Sequence, residues 1–212
     1  MPNVDLLQVF LVFVVLVFSL TLHEAAHAWS ADRLGDATAR LLGRVSLNPA
    51  VHVDPIGTIL FPLIAIVTGV PILGWAKPVP VNTHHLGRTW KQKFMAIAAA
   101  GPASNLLIAV VCSIVLRLLT VVTVEDSGAL GLFGSVLVLA IRLNVLLAIF
   151  NMLPIPPLDG GNVLSGLLSG QAARVFDSLR SYGFLILYGL LLSGILWRLV
   201  GPPEDLLLSW LL

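Results

Sequence analysis

The chain has 212 residues, 58% of them hydrophobic and 11% charged, with a formal net charge of +1. Soluble domains carry roughly 25% charged residues, and four long apolar stretches cannot all hide in one core of this size, so an ordinary water-facing globule is excluded. The basic residues form no stripe, which argues against nucleic acid as a partner, and the single cysteine, Cys112, rules out an intramolecular disulfide or a thiolate zinc cluster.

In chain order, residues 5–31 predict a first spanning helix: about 27 positions give roughly 40 Å, enough to cross with some tilt and leave a polar end. The stretch has no positive leader and no small-residue cleavage site, so it is expected to stay as a helix. Residues 32–55, with Asp32, Arg33, Asp36, Arg40, Arg44, Pro49 and Pro55, read as loop with a short strand at Arg44–Leu47. Residues 56–74 are apolar but interrupted by Gly57, Pro62, Gly69 and Pro71, and the alternate prolines of WAKPVPVN force an extended path up to Asn82. Two further spans are expected at 94–119 and 130–152, joined by a loop with Glu125 and Asp126 and no Lys or Arg. A polar patch at 169–181 precedes a last span at 182–200, after which Pro202 and Pro203 should break the helix and LLLSWLL should lie at the interface.

Lys and Arg cluster at 33–44, 77–93 and 174–180, while the 120–129 loop and the N-terminus carry only acids, so the positive-inside rule puts those three clusters on the cytoplasmic side. Both flanks of 56–74 then share one side, which predicts a segment that dips in and returns; the competing reading is an ordinary span with mixed loop charges. The expected fold is an all-α polytopic membrane protein. It has about four spanning helices, a re-entrant or short membrane segment and a few short strands near the active site, in a single domain over 1–212.

His23-Glu24-Ala25-Ala26-His27 fits H-E-x-x-H, where histidines four apart face the same way and grip one metal ion while the glutamate serves as base. A carboxylate in a spanning helix costs about 2.5 to 3.5 kcal/mol unless it faces a polar cavity or partner, so three such residues there need a reason. The bland alternative is a last turn emerging at the interface, with Trp29 as belt residue. A catalytic zinc takes three protein ligands, and among the remaining residues Asp159 stands out, after Pro154, Pro156 and Pro157 end the 130–152 span. In a plain helix-ending loop it would instead be a solvated turn residue. Loop charges bring His23 and Asp159 to a similar inner depth, a check partly independent of the metal argument.

HEAAH, AAAGPASN at 98–105 and NMLPIPPLDGG at 151–161 together resemble the site-2 protease family, and GWAKPVPVN at 74–82 is similar to its compact bacterial members without a PDZ domain. The resemblance covers most of residues 20–161. It implies a zinc metalloendopeptidase of the bacterial inner membrane that cleaves transmembrane protein substrates from the cytoplasmic side. It further implies one Zn²⁺ per chain on His23, His27 and Asp159, Glu24 as base, and Asn151 holding substrate or oxyanion. The rival reading is a membrane metal or ion transporter with the same cluster as a permeation site. Residues 43–82 look like extra length relative to minimal members: His52 and Asp54 are candidates to contact the site, or His52 is an interfacial loop residue. His84 and His85 read as a solvated pair, and Gly101 and Asn105 as small-residue packing plus an interhelical hydrogen bond.

Overall fold

The computed structural model describes residues 6–69, 74–122 and 128–212. The first helix, α1 (Leu6–Arg33), changes character along its length. Its first half is apolar but for Gln8 and exposes Leu7, Phe10, Val14 and Phe18, three or four residues apart, a stripe suited to lipid. Its second half is small and polar on one side, and there Ser19, His23, Glu24, His27, Ala28 and Ala31 are buried. They face α4 (Trp90–Val122), whose Ala98, Gly101, Asn105 and Ala109 recur every three or four residues and are also buried. Small residues on both helices let the two backbones approach closely.

Between these helices lie α2 (Thr38–Leu41), a 3-10 turn (Pro49–Val51), a π-helical turn (Pro55–Leu60), α3 (Phe61–Thr68) and a 3-10 stretch (Thr83–Thr89). Asp54 starts the π turn by accepting from the N–H groups of Ile56 and Gly57 at 3.0 and 2.8 Å. The π turn and α3 hold 6 and 8 residues, no more than roughly 21 Å of helix against the roughly 30 Å of a bilayer core. The chain then comes back to where it left: Trp75 N–H donates to the Gly57 carbonyl at 3.1 Å, and the Thr58 hydroxyl donates to the Trp75 carbonyl at 2.8 Å.

After α4, α5 (Gly128–Asn151) packs beside it and α6 (Asp159–Leu167) begins at the end of a proline-rich turn. The chain continues through α7 (Gly170–Leu179), α8 (Gly183–Leu192) and α9 (Ile195–Leu211). Lys93 Nζ donates to the Leu34 carbonyl past α1, and Lys91 Nζ to the Leu168 carbonyl past α6, so two lysines of α4 cap the ends of both neighbours. Among the described residues, four helical stretches are long and apolar enough to cross a membrane: Leu6–Arg33, Thr83–Thr120, Leu130–Asn151 and Gly170–Leu192.

Several expectations change. No strand forms among the described residues, at Arg44–Leu47 or beside the site. Arg44 N–H instead bonds the Ala39 carbonyl, and its guanidinium, not its backbone, meets the carbonyls of Lys77 and Pro78. Pro78 and Pro80 have no N–H to offer a ladder. The polar patch at 169–181 is mostly helix, α7. The span expected over 182–200 is broken at Gly194, whose φ of 75° ends α8. Pro202 and Pro203 lie inside α9 without ending it: Leu196 and Val200 join one buried cluster, and Leu207, Leu208 and Leu211 pack on another with Ala109, Ile141 and Val145. This continuous apolar face keeps the helix going and draws LLLSWLL onto α4 and α5 instead of leaving it free at an interface. The acidic loop with Glu125 and Asp126, the N-terminal Asp5 and Pro71 lie outside the described residues.

Candidate metal centre

His23 and His27 stand one turn apart on the buried side of α1, with their Nε2 atoms 3.0 Å from each other and their rings at 83°. Asp159 is the first residue of α6, and its Oδ2 lies 3.2 Å from His23 Nε2 and 3.3 Å from His27 Nε2. Two distant motifs thus meet at one point. The turn bearing Asp159 is held by backbone contact: a Cβ on Gly160 would sit 2.2 Å from the Met152 carbonyl oxygen, and one on Gly183 of α8 would sit 2.4 Å from that of Pro156. Gly101 of α4 closes the other side, where a Cβ would fall 2.4 Å from His27 Nε2 and 2.6 Å from His23 Nε2.

The second ring nitrogens decide what these atoms can bind. His27 Nδ1 lies 2.7 Å from the Ile97 carbonyl, which can only accept, so Nδ1 carries the proton and Nε2 presents a lone pair. His23 Nδ1 lies 2.6 Å from Asn105 Oδ1, with the same result. With both rings neutral, a lone pair at each Nε2 and a carboxylate oxygen converge on one point. Such an arrangement repels itself unless a cation stands at the centre. With metal–ligand bonds of about 2.0 Å, a tetrahedral zinc site has ligand separations of about 3.3 Å, close to the 3.0 to 3.3 Å observed. The donor set fits zinc. Among the described residues, His23, His27 and Asp159 form the one cluster of three or more His, Cys, Asp or Glu side chains able to hold a metal ion.

Glu24 follows His23 on the helix, is 8% exposed, and its Oε2 is buried with no hydrogen-bond partner among the described residues. It lines a cavity of about 630 Å³ together with His23, His27, Asp159 and Asn151. The facing wall is the segment Gly74–Val81, with Phe184 and Leu187 of α8. Trp75 packs edge-on to Phe61 and Phe184, with ring centres 5.2 and 6.1 Å away. Asn151 donates one amide N–H to the Leu147 carbonyl of its own helix at 2.9 Å.

The other histidines stay outside this cluster. His52 is no interfacial loop residue: it is 1% exposed, its Nε2 bonds the Ser46 carbonyl, and its own carbonyl accepts from Lys77 N–H. Asp54 caps the π turn. His84 is exposed, whereas His85 Nδ1 pairs with Asp36 Oδ1 at 2.9 Å. Asn105 does more than link two helices, because its partner is a histidine of the cluster. It continues to Asn144 of α5, which reaches Ser19 of α1. Ser19 and Asn144 were not singled out from the sequence. The available signal was their polarity inside spans, with Ser19 one turn before His23.

The profile of peptidase family M50 matches residues 115–193. YwhC of Bacillus subtilis, named as a candidate zinc metalloprotease, is 36% identical over 207 residues, covering 92% of this chain and 88% of its own. Rip2 of Mycolicibacterium smegmatis, with the same designation, is 33% identical over 183 residues, 86% of this chain and 66% of its own. Rip2 of Mycobacterium tuberculosis is 30% identical over 176 residues, 82% and 64%. No solved structure matches the chain.

Proposed function

The chain belongs to peptidase family M50, and from that premise we propose that His23, His27 and Asp159 hold the zinc of an intramembrane metalloprotease whose base is Glu24. It is a multi-pass membrane protein acting on membrane protein substrates, and the transporter reading is not favoured. The observation that carries the assignment is the convergence of two imidazole nitrogens and a carboxylate oxygen within 3.3 Å of one another, beside an unpartnered buried carboxylate oxygen. When bound, zinc supplies Lewis acidity, acidifying a water and polarising the scissile carbonyl. Glu24 takes the proton of the attacking water at Oε2 and returns it to the departing amide nitrogen. Asn151 keeps one amide N–H for the developing oxyanion or the substrate backbone while the other stays on Leu147.

A helical substrate hides its amides and must open before attack. The N–H groups of Ala76, Val79 and Val81 have no partner among the described residues, which supports docking of an opened strand along this segment by β-addition. The carbonyls of Lys77 and Pro78 are already taken by Arg44, so an opened strand would pair with the remaining backbone groups of the segment. We further place the active site on the cytoplasmic side of the cell membrane. The support is the clustering of Lys and Arg at 33–44, 77–93 and 174–180, the first two of which are tied together by Arg44 on Lys77 and Lys93 on Leu34. On this reading residues 56–74 are re-entrant and 1–212 act as one domain.

Elemental analysis of the purified protein tests the ligand set. About one zinc per chain is expected in wild type and none in His23→Ala or Asp159→Ala. Zinc that survives Asp159→Ala removes that residue from the site. Glu24→Gln should keep zinc and lose cleavage of a transmembrane substrate by about 10²- to 10⁴-fold; undiminished cleavage would dismiss Glu24 as base.

A further inference from the structure

Resting on the zinc-site reading, we infer that Asn144 is a positioning residue that fixes which nitrogen of His23 faces the metal. His27 has its proton set directly by a backbone carbonyl. His23 does not: its partner is an amide side chain, which can present either an acceptor oxygen or a donor nitrogen depending on a half-turn. With Nδ2 toward the ring, Asn105 would demand an acceptor at Nδ1, the proton would move to Nε2, and the metal would lose its ligand.

The direction is settled three bonds away. Asn144 Nδ2 lies 2.8 Å from the Ala140 carbonyl, which can only accept, so the amide nitrogen must point there, and it also reaches Ser19 Oγ at 2.9 Å. Asn144 Oδ1 is then turned to Asn105 and accepts from its Nδ2 at 2.8 Å. That leaves Asn105 Oδ1 for His23. Ser19, Asn105 and Asn144 are all 0% exposed, so no solvent is at hand to satisfy an amide that flips. The line from Ala140 through Asn144 and Asn105 carries one bit of information, donor or acceptor, from the backbone of α5 to a side chain of α1.

The test compares side-chain ¹⁵N shifts of His23 and zinc retention against a chelator in wild type, Asn144→Leu, and Asn144→Leu combined with Asn105→Asp. Metal-free wild type should show His23 protonated at Nδ1. Asn144→Leu frees the Asn105 amide, so the His23 tautomer should change or mix while His27 keeps its own, and zinc affinity should fall about 10- to 100-fold. A carboxylate at 105 accepts from His23 whichever way it turns, so the double variant should regain the Nδ1–H tautomer and most of the affinity. A packing role for Asn144 would not be rescued this way. The inference is overturned by a wild-type His23 protonated at Nε2, a reading that needs no variant. It is equally overturned by unchanged tautomer and zinc retention in Asn144→Leu, or by a double variant no better than the single one. Wild type that holds no zinc would sink the metal-site reading itself; wild-type zinc indifferent to Asn144→Leu sinks only the positioning role.

Discussion

The two walls of the cavity are built on opposite principles. On one side α1, α4 and α5 close their backbone bonds within themselves, and their contact is a matter of small residues and buried amides. On the other, residues 74–82 lie outside any helix, and side chains bond their backbone: Arg44 on two carbonyls, Thr58 on Trp75, Asp36 on Asn82 N–H. The helical wall carries the candidate metal-binding histidines; the irregular wall is where the proposed extended substrate would dock.

If that division is right, damage to the helical wall should strike chemistry and damage to the irregular wall should strike binding and stability. Gly101→Ala forces a Cβ against both imidazoles and should lower turnover by about 100-fold or more, together with zinc content. Near-normal turnover would mean that α1 and α4 can part without cost, and the contrast would collapse. Arg44→Ala strands the carbonyls of Lys77 and Pro78 and should cost about 1.5 to 3 kcal/mol in an unfolding titration, with substrate KM rising more than kcat falls. Zinc loss in that variant would show that the walls are not separable.

The smallest effect expected is at Asp36, outside the spans. Burial opposes its charge, but hydrogen bonds from the Thr38 hydroxyl, His85, and the N–H groups of Asn82 and Thr38 hold its carboxyl below the ordinary range. A folded value below the unfolded one adds stability that is complete above the unfolded pKa of about 3.9 and is lost as pH falls through the folded value. Asp36→Asn should therefore cost about 1 kcal/mol at neutral pH and flatten the stability curve below about pH 4. A variant curve parallel to wild type through that window would remove Asp36 as a tie of the irregular wall.

The same contrast governs what was legible in the sequence. Spans at 5–31, 94–119 and 130–152 were readable because hydropathy and helix length are local properties, as was His23 beside His27, set by the turn of one helix. Loop charges put Asp159 at a similar depth, and the family resemblance made it the third ligand. The last span misled because Gly194 carried no weight beside the louder Pro202 and Pro203, although a left-handed residue ends a helix where a proline in a well-packed one does not. Arg44 and His52 were unreadable for a different reason. Their work is to bond carbonyls 33 and 6 residues away, and no periodicity records that.

Asp159 sits on a turn gripped by Gly160 and Gly183, where neighbours meet backbone to backbone and no side chain intervenes. The turn therefore offers a protein engineer almost nothing to vary. The lining proposed to meet the substrate is the reverse: Trp75, Val79 and Phe184 are ordinary side chains on the far wall, where Trp75 stacks on Phe61 and Phe184 rather than on the ligand cluster. Retargeting such a protease is then a problem of rewriting one surface while the hydrolytic apparatus travels along unchanged. A combinatorial library at those three positions, selected on a foreign transmembrane helix, is the natural place to begin.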